Sequence, residues 1–323
     1  ANSFFATPDH ILILDVENEY TALVEQLQGQ VLYLAPDSQS YLNPMDLDLS
    51  TDVGESPMLM QADFLLSQCE LMMASYGNPL MPIEKSLIDR CISLVYRDYL
   101  KRPTPENMPI LGDLYQCLRA QDNHTADDLA TAMEIYVTGS LSYLNHRTNV
   151  DLNNRLVCYN TSKMGQGLKK LVMANVQKHI WQRTTINRYA GVTTRIFLDE
   201  FHMLLKEPQT AAYTAEIYKR FRKWNGIPTS LTQNVKDLLA SPEIENILEN
   251  SDFILMLNQG ASDRGILAQR LGISPQELTH VTNSGEGEGL LFFGDKIIPF
   301  VDKFPRDTQL YRVMTTKPSD LAA

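Results

Sequence analysis

Nowhere in the 323 residues does GxxxxGK[ST] occur, so no segment supplies by itself the backbone cradle and lysine that grip a nucleotide's phosphates. Cysteine is scarce: Cys69, Cys91, Cys117 and Cys158 lie far apart, with no CxxC and no histidine pair at ligand spacing. That excludes a zinc-knuckle or disulfide framework and reads as reduced thiols of a cytosolic protein. No apolar run approaches the roughly 18 residues of a membrane span, and the N-terminus carries no signal-peptide pattern. Any membrane association is therefore expected through partners or further sequence. Positive charge is also in deficit: 28 Lys and Arg against 39 Asp and Glu leave a net charge of −11. Such a balance opposes a broad electrostatic grip on nucleic acid or anionic lipid. Neither a solenoid-length repeat nor a low-complexity tract is present.

The apolar content, 44%, is ample for a core, and its patterning alternates strand with helix. Ile11–Leu14 is a short apolar run ending in Asp15, Tyr20, Leu23, Val24 and Leu27 form a helical stripe, and residues 30–35 are apolar again. Residues 36–57 are loop-like and contain the Tyr41-Leu42-Asn43-Pro44-Met45-Asp46 turn. From there to about Leu144 only helical periodicity remains. Leu87, Cys91, Val95 and Tyr99 mark one face of a helix that Pro82 opens and the Pro103-Pro105 segment ends. Strand–helix alternation resumes at residues 155–159, with a long helix over about 164–189, a strand over 194–198, a helix containing Ile217, Phe221 and Trp224, and a strand over 227–232. A further buried strand is expected at 253–257 and a hairpin over 290–301, turning at Gly294-Asp295. Alternation of this kind implies an α/β fold with a mostly parallel sheet. The expected organisation is an α/β domain from 1–56 and 145–323 interrupted by an all-α subdomain at 57–144.

The run Thr194-Arg195-Ile196-Phe197-Leu198 ends abruptly in Asp199 and Glu200, at the carboxyl end of a strand where open α/β sheets place ligands. This is the Walker B pattern. The first acid holds Mg²⁺ through water, and the second orients or deprotonates the water that attacks a γ-phosphate. The alternative is a helix whose first turn carries acids, as the helix dipole favours. Gln233 closes the next strand, where a glutamine can hydrogen-bond both phosphate and water; otherwise Gln233-Asn234 caps a helix. Arg264 follows another strand at the start of a helix and is a candidate trans arginine finger, Arg270 being the lesser one, against a plain surface Asp-Arg pair. Asp15 and Glu19 repeat the theme of acids at a strand's end, as further carboxylates near Mg²⁺ or as an N-cap and first-turn acids. The Ser284–Gly289 turn is acidic and precedes a strand, so it is no phosphate loop. Lys219, Arg220, Arg222 and Lys223 beside Trp224 read as a solvated helix face before a DNA contact. His202, with no second histidine at i+4, reads as packed or hydrogen-bonded.

Taken together, ILILDVENEY (11–20), SYLNPMDL (40–47), RPTPENMPIL (102–111), LSYLNHRTNVD (141–151), RIFLDEFHMLLK (195–206), FRKWNGIPTSLTQNVKDLLAS (221–241), SDFILMLNQ (251–259) and SGEGEGLLFFG (284–294) resemble the ATPase domain of the large conjugal-transfer and type IV secretion ATPases, the TraC/TraE-like kind. The resemblance spans essentially the whole chain. It implies a RecA-like P-loop NTPase domain with an all-α inserted subdomain, using ATP and Mg²⁺ to drive export or pilus assembly. It further implies a homo-hexamer at the cytoplasmic face of the bacterial membrane, beside other secretion ATPases, a coupling protein and inner-membrane components. A nucleotide-controlled docking scaffold and a DNA-translocating pump are the alternatives. By position, Asp199 and Glu200 look like the Walker B pair, Gln233 like the glutamine motif and Arg264 like the finger. The missing phosphate loop departs from the family's pattern, and its residues are expected upstream of Ala1.

Overall fold

The computed structural model describes residues 1–49, 56–73, 79–233, 235–239, 241–282 and 284–315. The chain divides into two compact units, Ala1–Asp199 with Lys223–Thr229, and Glu200–Arg222 with Ser230–Ala323.

The first unit starts with α1 (Asn2–Ala6), β1 (His10–Asp15), α2 (Thr21–Gln26) and β2 (Gln30–Tyr33). Four helices follow: α3 (Pro57–Met73), α4 (Pro82–Lys101), α5 (Leu111–Arg119) and α6 (His124–Val137). Then come β3 (Leu156–Asn160), the long α7 (Gln166–Tyr189) and β4 (Thr194–Leu198), and β5 (Gly226–Ser230) completes a sheet ordered β2-β3-β1-β4-β5. β1 runs parallel to both neighbours, with Leu12 opposite Val157 of β3 and Ile196 of β4. Flanked on both sides, β1 has five consecutive buried residues, Ile11 to Asp15, which is why its sequence is a continuous apolar run and not an alternating one. Ile11, Ile13, Val24, Leu156 and Cys158 form a core beneath α2.

Between Pro57 and Leu144 the described chain contains only α-helices and 3-10 turns. Pro82 sits in the first turn of α4, where its missing N–H costs nothing, and Glu84 caps back onto the Met81 amide at 2.6 Å. The Asn43-Pro44-Met45-Asp46-Leu47 loop is buried against α3, α4 and α7. A buried loop must have its carbonyls partnered, and side chains of these helices do so. Gln61 and Lys178 donate to Pro44 O at 2.9 and 2.8 Å, Lys178 also to Asp46 O at 2.6 Å, Tyr96 to Met45 O, and Tyr99 to Leu47 O at 3.1 Å. Residues 50–55 of the loop-like stretch lie outside the described residues.

The second unit contains α8 (Pro208–Phe221), α9 (Val235–Leu239), α10 (Ile244–Glu249), β6 (Phe253–Met256), α11 (Ala261–Leu271), α12 (Pro275–Leu278), β7 (Glu288–Phe293), β8 (Lys296–Val301) and α13 (Gln309–Met314). Its strands form a separate antiparallel sheet in the order β6-β7-β8, and its core joins Val235, Met256, Leu267, Ile273, Val281, Leu290 and Phe292. The 290–301 hairpin forms as expected and turns at Gly294 in the left-handed region. The 253–257 segment does not match its expectation. It is a strand, but only one face meets the core, while Phe253 and Leu255 stay 63% and 59% exposed. A four-residue apolar run carries too little pattern to distinguish a doubly buried strand from a one-faced antiparallel one.

Candidate functional site

At the carboxyl ends of β1, β3 and β4 the first unit gathers Asp15, Glu19 and Asp199. Asp15 is fully buried and its two oxygens accept the amides of Glu19 and Tyr20, at 3.0 and 3.1 Å. That geometry is the capping half of the two readings of Asp15, since the carboxylate closes the turn after the strand. Glu19 is exposed on the same turn. Asp199 is buried, and its amide donates to Leu14 O at 3.1 Å, continuing the ladder one step past β4.

The electrostatics of two neighbours place these acids together. Burial raises the Tyr20 phenol well above its usual range, and the negative charges of Asp199, Glu19 and Asp15 raise it further. Burial likewise pushes the Cys158 thiol up, with Asp15 and then Asp199 contributing. Cys158, whose Sγ lies 3.8 Å from Asp15 Oδ2, is therefore an un-ionised thiol and no nucleophile.

A polar knot unmarked by any motif braces the strand tips. Asn160 donates to Asn18 Oδ1 at 2.6 Å and Thr21 Oγ1 at 2.9 Å, and accepts from the Ser162 amide and hydroxyl at 3.1 and 2.7 Å. Thr161 N donates to Asp15 O at 2.8 Å. The run Asn160-Thr161-Ser162 directly after an apolar strand was the available signal.

In the second unit Glu200 begins the turn into the 3-10 segment Phe201–Leu205 with φ 42° and ψ 47°. A non-glycine residue in the left-handed region costs on the order of 1 kcal/mol and persists only where the surroundings hold it. Here Phe201 N donates to Leu231 O and Met203 N to Glu200 O, both at 2.9 Å, while Phe201 is buried. The Glu200 carboxylate lies 3.1 Å from His202 Nδ1, which in turn lies 3.1 Å from Thr232 Oγ1. Gln233, the next residue, is exposed, and it lies three positions beyond the end of β5 instead of closing the strand. Arg264 occupies the first turn of α11 with Nε 3.4 Å from Gly260 O, whereas Arg270 forms an ion pair with Glu245 within the chain.

Among the basic residues, Lys219 and Arg220 face Glu216 at 3.9 and 3.1 Å, the pairing of a solvated helix face. Among the described residues no group of three His, Cys, Asp or Glu side chains can hold a metal ion, and no helix is long and apolar enough to cross a membrane. The buried carboxylate of Asp199 at a strand tip fits Mg²⁺, which keeps most of its waters and binds through one or two carboxylates plus substrate phosphates.

The TraG P-loop domain model matches residues 110–284 of the chain. Among solved structures, the chain is similar to VirB4 of Thermoanaerobacter pseudethanolicus, with 23% identity, a TM-score of 0.81, and coverage of 98% of this chain and 85% of that one. It is also similar to the plasmid coupling protein TrwB in complex with the non-hydrolysable ATP analogue ADPNP, at 12% identity and TM-score 0.53, covering 94% and 88%. At these identities the likeness is one of fold: a mostly parallel RecA-like sheet flanked by helices. No curated protein matches.

Proposed function

Given that the chain belongs to the family of the TraG P-loop domain, a family of conjugation and type IV secretion P-loop ATPases, we propose that it is the ATP-hydrolysing motor domain of such a machine, powering substrate export or pilus assembly. The observation that carries this reading is the acidic pair Asp199-Glu200 directly after β4, with Asp199 buried where Asp15 and Glu19 also gather. In this reading Asp199 holds Mg²⁺ through water, and Asp15 shapes the turn that presents Glu19 near the hydrated ion. Mg²⁺, when bound, neutralises charge developing on the transferred phosphoryl group. Glu200 orients and deprotonates the attacking water, Gln233 senses the γ-phosphate, and Arg264 reaches the nucleotide of a neighbouring copy in a homo-hexamer. Arg270, which pairs with Glu245 within the chain, stays the lesser candidate for the finger. We further propose an all-α subdomain at 57–144 inserted in an α/β domain, and a station at the cytoplasmic face of the membrane beside a coupling protein, other secretion ATPases and inner-membrane components. A DNA-pumping role would rest on the Lys219, Arg220, Arg222 and Lys223 cluster, in which Lys219 and Arg220 share Glu216 as a partner.

The test is Glu200→Gln in the full-length protein. Nucleotide affinity, read by fluorescent-nucleotide titration, is expected to stay within about threefold of wild type. Phosphate release is expected to fall by about 10²-fold or more, the usual loss when a positioned base is removed. Unchanged turnover would remove Glu200 from the chemistry, and a pure docking scaffold would support export in the variant as in the wild type.

A further inference from the structure

We propose that His202 is a positioning residue for hydrolysis: its imidazole holds the Glu200 carboxylate in place and links it to the segment that carries Gln233. The proposal rests on the ATPase reading above and assigns a role to a side chain outside that mechanism. Its basis is a part-buried three-group chain. Glu200 Oε2 and Thr232 Oγ1 each lie 3.1 Å from His202 Nδ1, and the Glu200 and His202 side chains are only 14% and 12% exposed. A carboxylate can only accept, so Nδ1 pairs with Glu200 as the donor, in a tautomer that carries the hydrogen there. Thr232 Oγ1 lies at the same distance from the same nitrogen, with donor and acceptor roles set by the tautomer. The carboxylate and the hydroxyl thus meet the ring at one nitrogen, which links Glu200 to Thr232.

Two backbone facts give the clamp a purpose. The left-handed turn at Glu200 aims its side chain in a direction that ordinary strand or helix geometry does not provide. The Phe201 N to Leu231 O bond then ties that turn to the segment leading to Gln233. Because Thr232 and Gln233 are consecutive, a shift of Gln233 moves the hydroxyl that holds the imidazole, and through it the carboxylate. A general base displaced by about 1 Å can lose on the order of 10² in rate with its substrate still bound, so the expected signature is in kcat and not in KM.

The experiment is steady-state ATP hydrolysis by the full-length protein with four variants. His202→Phe fills the space without a donor and should lower kcat roughly 10–100-fold, the range typical when an orienting partner is lost, with KM within about threefold. His202→Asn retains an amide donor near the Nδ1 position and should recover most of that loss. Thr232→Val, nearly isosteric, should lower kcat severalfold, which keeps the proposal testable if His202→Phe fails to fold. His202→Phe added to Glu200→Gln should cost little beyond Glu200→Gln alone, because both act on the same carboxylate. If wild type and Glu200→Gln differ as expected while His202→Phe and Thr232→Val turn over like wild type, the positioning role is overturned and the ATPase reading stands. The role is overturned in the same way if His202→Asn is as impaired as His202→Phe. A wild-type protein that turns over no ATP overturns both.

Discussion

Single residues of this chain carry their chemistry in their surroundings more than in their identity. His179 on α7 is buried, and its imidazole is pulled down to about 3, first by burial and then by the charge of Lys178 beside it. The folded state therefore keeps His179 neutral down to about pH 3, while the unfolded chain takes up a proton below its ordinary value of 6.5. Between these limits the unfolded state binds more protons, so stability rises with pH through the window and is complete above 6.5. On acidification each pH unit removes about 1.4 kcal/mol through this one group. Lys178, pulled down to about 7 by burial, titrates between 7 and 10.5 and leaves that window untouched. His179→Gln is accordingly expected to flatten the acid limb of stability against pH by one proton between about pH 6.5 and 4, measured by urea unfolding at stepped pH. An unchanged slope would mean that the ring is protonated in the native state. The position of Asp15 and Asp199 at strand ends was legible from sequence because a strand ending in carboxylates is a local pattern. The His202–Thr232 contact joins residues thirty positions apart through a left-handed turn, and no spacing rule encodes it.

At the scale of elements, legibility follows the number of neighbours an element has. β1 and β3, paired on both edges within the parallel sheet, are continuous or nearly continuous apolar runs, while β4 sets Thr194 and Arg195 before its apolar Ile196-Phe197-Leu198. β6, which pairs antiparallel with β7 and shows one face to solvent, has the same short apolar run for a different reason. The Ser284–Gly289 turn is a further case: its glycines read as a tight turn, and the structure gives the cause. Gly287 sits at φ +71°, and a Cβ there would stand 2.0 Å from Asp302 O, whose residue's amide donates back to Gly287 O at 2.7 Å. Gly294, at φ +58° in the hairpin turn, has open space around it. The two glycines separate strain from collision. Gly294→Ala is expected to cost about 1–2 kcal/mol, the left-handed penalty alone. Gly287→Ala adds a backbone clash and is expected to exceed that clearly, with β7 and β8 amides losing hydrogen-exchange protection first. Equal effects of the two substitutions would show that the turn around Gly287 yields without difficulty.

At the scale of the whole molecule, the two units have separate cores, which sequence periodicity did not reveal because the chain passes from one to the other between the consecutive acids Asp199 and Glu200 and returns for β5. A stretch of helices only, as in the described residues between Pro57 and Leu144, changes the period of the apolar pattern and so announces itself; a boundary between two α/β-textured regions does not. Both tryptophans, Trp181 and Trp224, belong to the first unit, where their rings meet edge to face with centroids 4.9 Å apart. Tryptophan fluorescence therefore reports on that unit, and hydrogen exchange in β6, β7 and β8 on the other. Leu290 is fully buried in the second unit's core, so Leu290→Ala removes both its transfer energy and its packing, about 2–5 kcal/mol. If each unit is a cooperative element of its own, the loss is confined: exchange in β6 to β8 accelerates while the tryptophan unfolding midpoint in urea holds. A fluorescence midpoint that falls in step with the exchange would mean that the two cores melt as one, and the stability of the Asp199 side would then be coupled thermodynamically to every mutation on the Glu200 side.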